Sequence, residues 1–220
     1  MKKYLPLILF LFLTLTGAVK KPDFTDYPIV TAERLELTKQ YCKDHYGMDT
    51  YELKDPKMIV VHSTEMSSLK DSLGCFKPAK MGDDRPYLQA FGAVNVGIHF
   101  VIDKTGKIYT LLPLNIVARH TIGFNYTAIG IENVGKKNVD LTAAQIEANA
   151  HLIAWLAEQF PSVEYMIGHY EYTNKKLPHY ALYIENVTNY KFTQKTDPGK
   201  YFMTELRKLL KKKYNLELKD

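Results

Sequence analysis

The sequence predicts an α/β protein with one domain, in which a central mixed β-sheet is flanked by α-helices. Short runs rich in β-branched residues alternate with longer stretches whose apolar residues recur at helical spacing, a pattern typical of a sheet covered by helices. The 220 residues are 46% hydrophobic and 24% charged, which is enough for one sizeable core. The sequence contains no evident internal repeat or second domain.

The N-terminus carries a predicted leader. Lys2 and Lys3 precede the apolar run LPLILFLFLTLTG, which is too short for a comfortable membrane span. The small residues Thr16 and Ala18 then stand where a signal peptidase cleaves. We therefore predict a signal peptide over residues 1–18 and a secreted or periplasmic protein, with an uncleaved anchor as the alternative.

The rest of the chain is predicted to divide into an N-terminal extension, residues 19–50, and a main domain, residues 51–215. Two cysteines, Cys42 and Cys75, follow the leader, and in an exported chain a disulfide and two free thiols are equally open. The net charge is +5, and much of the excess lies in the segment RKLLKKKY near the C-terminus. We interpret that segment as a solvated helix face, so no nucleic-acid partner is expected.

The first half of the chain begins with an extended stretch and a helix. Residues 19–30 carry Pro and Lys and are predicted to be extended, and Thr31 is an N-cap candidate for a helix over 31–46. The run MIVVH at 58–62 has no room for a helix and predicts a buried strand. The polar residues 66–92 predict a long surface loop of the kind that walls a substrate groove.

The second half alternates strands and helices. The runs IHFVID and KIYTLL, joined by KTG, predict a β-hairpin over 98–112. Strands are predicted at 128–135 (AIGIENVG) and at 163–169 (VEYMIGH). Two helices complete the pattern, one over 199–214 and one over 142–160, the latter capped by Thr142 and with Ile146, Ile153, Ala157 and Phe160 on one face.

Three polar side chains stand where strands end or a helix begins. His62 ends one predicted strand, His169 ends another, and Asp197 precedes the final helix in the segment KTDPG. Open α/β sheets bind ligands at the carboxyl ends of their strands. Two imidazoles and one carboxylate supply three ligands for Zn²⁺ and leave a fourth position open, as in catalytic zinc sites. The competing interpretation makes Asp197 an N-cap.

Glu132 and Lys195 are the predicted catalytic side chains. Lys195 and Asp197 lie two residues apart in an extended segment and project to one side, so the ammonium can stabilise the oxyanion that forms when water attacks an amide. Glu132 faces away from Ile129 and Ile131 on its strand. We interpret it as a general base that passes a proton from the attacking water to the leaving nitrogen. A solvent-facing glutamate on an edge strand is the alternative.

The remaining histidines receive lesser roles. His99 and His120 are predicted to contact hydroxyl or carbonyl groups of the substrate. His179, in the segment LPHY, is the alternative metal ligand if one of the three is wrong. His45 and His151 are interpreted as structural, because one lies beside a charged helix end and the other inside a helix.

Four segments resemble the zinc N-acetylmuramoyl-L-alanine amidases of the amidase-2 and peptidoglycan-recognition-protein superfamily. They are IVVHST (59–64), GIHFVIDKTGKIYTLLP (97–113), HTIGFNYTAIGIENVG (120–135) and IGHYEY…KTDPG (167–199). The resemblance implies a mixed sheet flanked by helices, a zinc cofactor, and hydrolysis of the amide between N-acetylmuramic acid and L-alanine of the peptidoglycan stem peptide. The expected partner is peptidoglycan or a muropeptide, and residues 51–215 become the amidase catalytic domain.

The resemblance also implies roles for individual positions. These are zinc ligation by His62, His169 and Asp197, catalysis by Glu132 and Lys195, and a place in the substrate groove for His120 and Asn125. Two stretches depart from the family pattern: ARHT at 118–121 is closer to the recognition proteins, and the segment between His169 and Asp197 is longer than in compact members. The longer segment leaves loop conformation and preferred substrate size open.

Two competing functions remain. One is a recognition module that holds a muropeptide without cutting it, which the presence of all three ligands, the glutamate and the lysine disfavours. The other is an unrelated zinc peptidase, which the absence of an HExxH helix disfavours.

Overall fold

The computed structural model describes residues 18–136 and 138–220. The predicted signal peptide, residues 1–18, therefore lies almost entirely outside the described residues. Within them the strands are β1 Phe24–Asp26, β2 Met58–Ser63, β3 Phe100–Ile102, β4 Ile108–Thr110, β5 Ala128–Asn133 and β6 Tyr165–Gly168. The helices are α1 Ala32–Tyr46, α2 Leu69–Phe76, α3 Pro86–Gln89, α4 Ala143–Gln159 and α5 Lys200–Tyr214.

The six strands form one mixed sheet in the order β1-β4-β3-β5-β2-β6. Strands β3 and β4 pair antiparallel, as the predicted hairpin, and the other four neighbouring pairs are parallel. Every side chain of β2 is buried, as expected for an interior parallel strand covered on both faces. The predicted class, a single α/β domain with a central mixed sheet flanked by helices, is confirmed.

The helices begin at residues whose side chains satisfy free backbone amides. The Thr31 side chain accepts a hydrogen bond from the amide of Arg34 at the start of α1, and Thr142 forms a capping box with Gln145 at the start of α4. Helix α1 ends at Gly47, whose φ of 70° lies in the left-handed region that glycine adopts at low cost. Both capped starts agree with the sequence prediction.

The buried face of α4 differs from the prediction. Of the four apolar residues assigned to it, Ile153 is buried, whereas Ile146, Ala157 and Phe160 are only partly covered. The buried face instead includes two amides, Gln145 and Asn149. The Gln145 side chain donates to backbone carbonyls at the ends of β3 and β5, and the Asn149 side-chain nitrogen donates to the Asn133 side chain. An apolar pattern alone misses such a face, because amides whose nitrogens are hydrogen-bonded can also be buried.

Two stretches predicted to lack regular structure contain elements. The predicted loop 66–92 holds α2 and the one-turn helix α3, and Ser68 caps α2 by accepting from the amide of Asp71. The predicted extended leader 19–30 contains β1, which pairs with β4 and so forms one edge of the sheet. Three side chains of α1, Tyr41, Cys42 and Tyr46, belong to the main hydrophobic core.

Both cysteines are free thiols in the structure, so the disulfide alternative is not realised. Several lysines of the basic α5 pair with nearby glutamates, as a solvated helix face does: Lys208 with Glu205, Lys211 with Glu217 and Lys213 with Glu147. Across residues 18–136 and 138–220, no helix has the length and apolarity that crossing a bilayer requires.

Candidate metal and catalytic site

Parallel pairing of β2 with β6 brings His62 and His169 together. His62 lies near the carboxyl end of β2, and His169 follows β6 directly. Asp197 approaches from the segment before α5, and all three side chains are buried. One ligand atom from each lies within 4.8 Å of the other two. The predicted ligand set therefore converges, and the cluster is able to bind a metal ion.

The spacing of the three side chains can be compared with that of a zinc site. Asp197 Oδ2 lies 3.2 Å from His169 Nδ1 and 3.7 Å from His62 Nδ1. A tetrahedral ion with bonds of about 2.0–2.2 Å holds its ligand atoms about 3.3–3.6 Å apart. The two distances bracket that value, so small side-chain adjustments would seat the ion.

The charge state of the cluster also suits a cation. Burial lowers the pKa of His62 well below its ordinary value, and the neighbouring His169 lowers it further. Burial alone would raise the pKa of Asp197, but its contacts with His169 and the Ser63 amide bring it below the usual value. Neutral imidazole and ionised carboxylate are the forms that ligate metals. The N-cap alternative for Asp197 fails, because the N-cap of α5 is Gly199.

Hydrogen bonds behind the ligands hold them in place. His62 Nε2 lies 3.0 Å from Nδ1 of His120, whose ring also contacts the Thr121 hydroxyl at 2.8 Å. The Asp197 carbonyl accepts from the amide of Tyr170. Such partners fix the tautomer and orientation of a metal ligand.

Glu132 stands beside His62 in the sheet. The two residues are partners in the β2–β5 register, and β5 is an interior strand, so the edge-strand alternative fails. Its Oε2 is buried without a hydrogen-bond partner among the described residues. Burial raises its pKa well above the ordinary value, the charge of Asp197 raises it further, and Lys195 and Arg85 oppose the rise. A carboxyl shifted in this direction is suited to exchange a proton near neutral pH.

Lys195 lines the same cavity as Asp197 and Glu132. It is half-buried, and within residues 18–136 and 138–220 its side chain makes no hydrogen bond or ion pair. Its ammonium is therefore available to a negative charge that develops in the cavity.

The residues predicted to contact substrate differ in whether they line the cavity. His120 and Asn125 line the cavity. The Asn125 amide is occupied, because its oxygen accepts from the amides of His120 and Thr121 and its nitrogen donates to Tyr41 and Tyr46. Asn125 thus supports the cavity wall rather than presenting a free polar group.

His99 does not reach the cavity. It is fully buried, its Nε2 donates to the Ile116 carbonyl, and its Nδ1 accepts from the amide of Gly130. The geometry corrects the prediction of substrate contact by His99. The alternative ligand His179 is likewise fully buried beside Phe124 and takes no part in the metal cluster.

The cavity walls include residues that the sequence did not point out. The predicted groove-walling segment 66–92 does line it, through Cys75, Arg85 and Leu88, and the later part of the chain adds Tyr172, Tyr190 and Thr193. Arg119 is buried and donates to backbone carbonyls of residues 88–94, which fastens that wall. Its position next to His120 was the only local signal that could have marked it.

Fold and site together define an α/β protein with a buried site able to bind a metal ion, beside a carboxyl and an ammonium. The sequence model of the family "N-acetylmuramoyl-L-alanine amidase", Amidase_2, matches residues 52–200, which is more than half of the chain. The chain belongs to this amidase family. A comparison with curated protein sequences gives no match.

Solved structures of similar fold include amidases and recognition proteins. A selenomethionine derivative of AmpD is 23% identical, with 71% of this chain and 86% of that chain covered and a TM-score of 0.50. The amidase LysC from Clostridium intestinale URNW is 19% identical over 90% of this chain and 100% of its own, with a TM-score of 0.49. Peptidoglycan recognition protein-LE, in complex with tracheal cytotoxin, is 18% identical over 60% and 79%, with a TM-score of 0.44. At this level of identity the likeness to AmpD supports the fold alone.

Proposed function

We propose that this chain is a zinc amidase that cleaves the bond between the lactyl group of N-acetylmuramic acid and L-alanine of the peptidoglycan stem peptide. The observation that carries the proposal is the buried cluster of His62, His169 and Asp197, which borders a cavity shared with Glu132 and Lys195. Membership of the amidase family supports the choice of bond. The substrate is peptidoglycan or a muropeptide, and we place the chain in the cell envelope, secreted or periplasmic, after loss of residues 1–18.

The two histidines and the aspartate would hold the zinc ion. When bound, zinc lowers the pKa of a coordinated water to about 7 and polarises the scissile carbonyl. Glu132 takes a proton from the attacking water and delivers it to the leaving nitrogen, a role that its raised pKa favours. Lys195 donates to the oxyanion of the tetrahedral intermediate, and the absence of an ion pair to it among the described residues supports this role.

A pair of variants tests the proposal. We expect Glu132→Ala to retain zinc and lose turnover, whereas His169→Ala loses both. His151→Ala is the matched control, because His151 contacts the Lys20 carbonyl and the Tyr214 ring on another part of the surface and should change neither. Zinc content is measured by elemental mass spectrometry.

Turnover is measured by mass spectrometry of the products released from intact sacculi, which identifies the bond cleaved. Turnover by the Glu132 variant at the wild-type rate would remove the glutamate from the mechanism. A wild-type chain that binds zinc and muropeptide yet releases no product would instead be a recognition module.

A further inference from the structure

The segment that carries Lys195 returns to the site without regular secondary structure. Between His169 and α5 the chain makes a long excursion, and residues 191–198 lie in no helix or strand. A side chain whose backbone is not held by a sheet or helix needs other contacts to stay within the tolerance that catalysis requires.

Two tyrosine hydroxyls supply such contacts. The Tyr172 hydroxyl donates to the carbonyl of Thr193 at 2.6 Å and accepts from its amide at 2.9 Å. The Tyr87 hydroxyl does the same for Lys191, with both distances 2.8 Å. One hydroxyl thus satisfies both backbone groups of one residue. The two hydroxyls therefore hold the backbone at two residues of a segment that belongs to no helix or strand.

The two tyrosines join the segment to two separate parts of the chain near the site. Tyr172 is 1% exposed and follows the turn that begins at His169, with the two rings 5.0 Å apart. Tyr87 lies on α3, between the cavity-lining residues Arg85 and Leu88, and its ring contacts Phe91 and Tyr190. We name the four hydrogen bonds of Tyr87 and Tyr172 the tyrosine clasp.

The clasp affects the position of the Lys195 side chain more than that of Asp197. Asp197 is anchored separately, because its side chain accepts from the Ser63 amide and its carbonyl from the Tyr170 amide. Lys195 has no such anchor among the described residues. The position of its ammonium therefore depends on the backbone of its own segment, which the clasp holds on the N-terminal side at Lys191 and Thr193.

We propose that the tyrosine clasp positions Lys195 for the reaction, which makes Tyr172 and Tyr87 positioning residues. The inference rests on the proposed function, because it assigns the clasp to the amide hydrolysis argued above. It predicts a loss in kcat with little change in metal binding.

The test compares Tyr172→Phe and Tyr87→Phe, which keep the rings, with Tyr126→Phe. Tyr126 is the matched control because its hydroxyl also donates at 2.6 Å to a carbonyl of the same excursion, that of Leu182, which comes well before Lys195 in the chain. We expect Tyr172→Phe to lower kcat on a soluble muropeptide by on the order of 10-fold, with zinc Kd and KM changed by less than about 3-fold. Tyr87→Phe should act in the same direction, and Tyr126→Phe should leave kcat unchanged.

A double-mutant cycle decides whether the effect passes through the lysine. In a Lys195→Ala background, Tyr172→Phe should cause no further loss of kcat. An equal loss with and without Lys195, or an equal loss in Tyr126→Phe, would reduce the clasp to general stabilisation and overturn the proposal.

Hydrogen exchange separates this inference from the proposed function. Tyr172→Phe should speed amide exchange in residues 191–195, whether or not the chain is an amidase. If wild-type protein releases no product, the proposed function fails and the catalytic role fails with it. Unchanged exchange in the variant overturns the clasp itself, whatever the activity.

Discussion

His99 provides a sharp test of the site geometry, because the structure makes it part of the core. A carbonyl only accepts, so the bond to Ile116 places the proton on Nε2, and Nδ1 must accept from the amide of Gly130. Protonation of Nδ1 would set a second N–H against that amide and bury a charge. Burial accordingly lowers the pKa of His99 from 6.5 to about 4.

The pKa of His99 determines the size and sign of its effect on stability. Between pH 6.5 and about 4, His99 is protonated in the unfolded chain and neutral in the folded chain. The stabilisation is therefore complete above pH 6.5 and is lost as the pH falls through this window. At about 1.4 kcal/mol per pH unit, the loss amounts to about 3 kcal/mol by pH 4. That is a large part of the roughly 5–15 kcal/mol by which proteins are folded.

The assay is urea unfolding at pH 7 and pH 4, with a chelator present so that metal binding does not contribute. The comparison is between wild type and His99→Gln, in which the other titrating groups are shared and cancel. We expect wild type to lose about 3 kcal/mol more than the variant between the two pH values. At pH 7 the metal-loaded variant should keep the wild-type KM. Equal pH slopes, together with a raised KM, would refute the burial argument and return His99 to the substrate groove.

Three further predictions follow from buried groups. Glu132→Gln should retain zinc and lower kcat by on the order of 10²–10⁴-fold, and unaltered kcat would exclude proton transfer by this carboxyl. Arg119→Met removes hydrogen bonds to backbone carbonyls and should lower the free energy of unfolding by about 3 kcal/mol. The control Lys212→Met, at an exposed position, should lower it by no more than about 0.5 kcal/mol, and urea titration measures both. Burial raises the pKa of Cys42 to about 12, so mass spectrometry after alkylation of the folded chain should find Cys75 labelled first; prior labelling of Cys42 would contradict its burial.

Local sequence patterns predicted most of the fold. The strands β2, β5 and β6 and the helices α1, α4 and α5 lie where apolar spacing and capping residues placed them. These features depend on neighbours a few residues apart, which the sequence displays directly. The helices within segment 66–92 were not predicted, because they are short and the residues they contact lie elsewhere in the chain.

The metal cluster was predicted for a related reason. His62 and His169 both come at the ends of strands, and parallel strands bring their carboxyl ends to one edge of a sheet. Asp197 was recognised by the segment KTDPG and by its resemblance to the family. The sequence alone thus indicated the residue types and positions of the three ligands, and the structure brings their side chains together.

By itself the sequence determined which residues form strands and helices and which side chains could serve as ligands, because period and capping are local. Only the tertiary structure decided which polar groups are free to act. It buried His99 with both ring nitrogens bonded and occupied the amide of Asn125. It also placed Glu132 on an interior strand, with one oxygen that no described residue pairs. It also brought Tyr172 to Thr193 across 21 residues. The physical reason is that a buried polar group forms hydrogen bonds with residues distant in the chain, and no local sequence pattern specifies which residues these are.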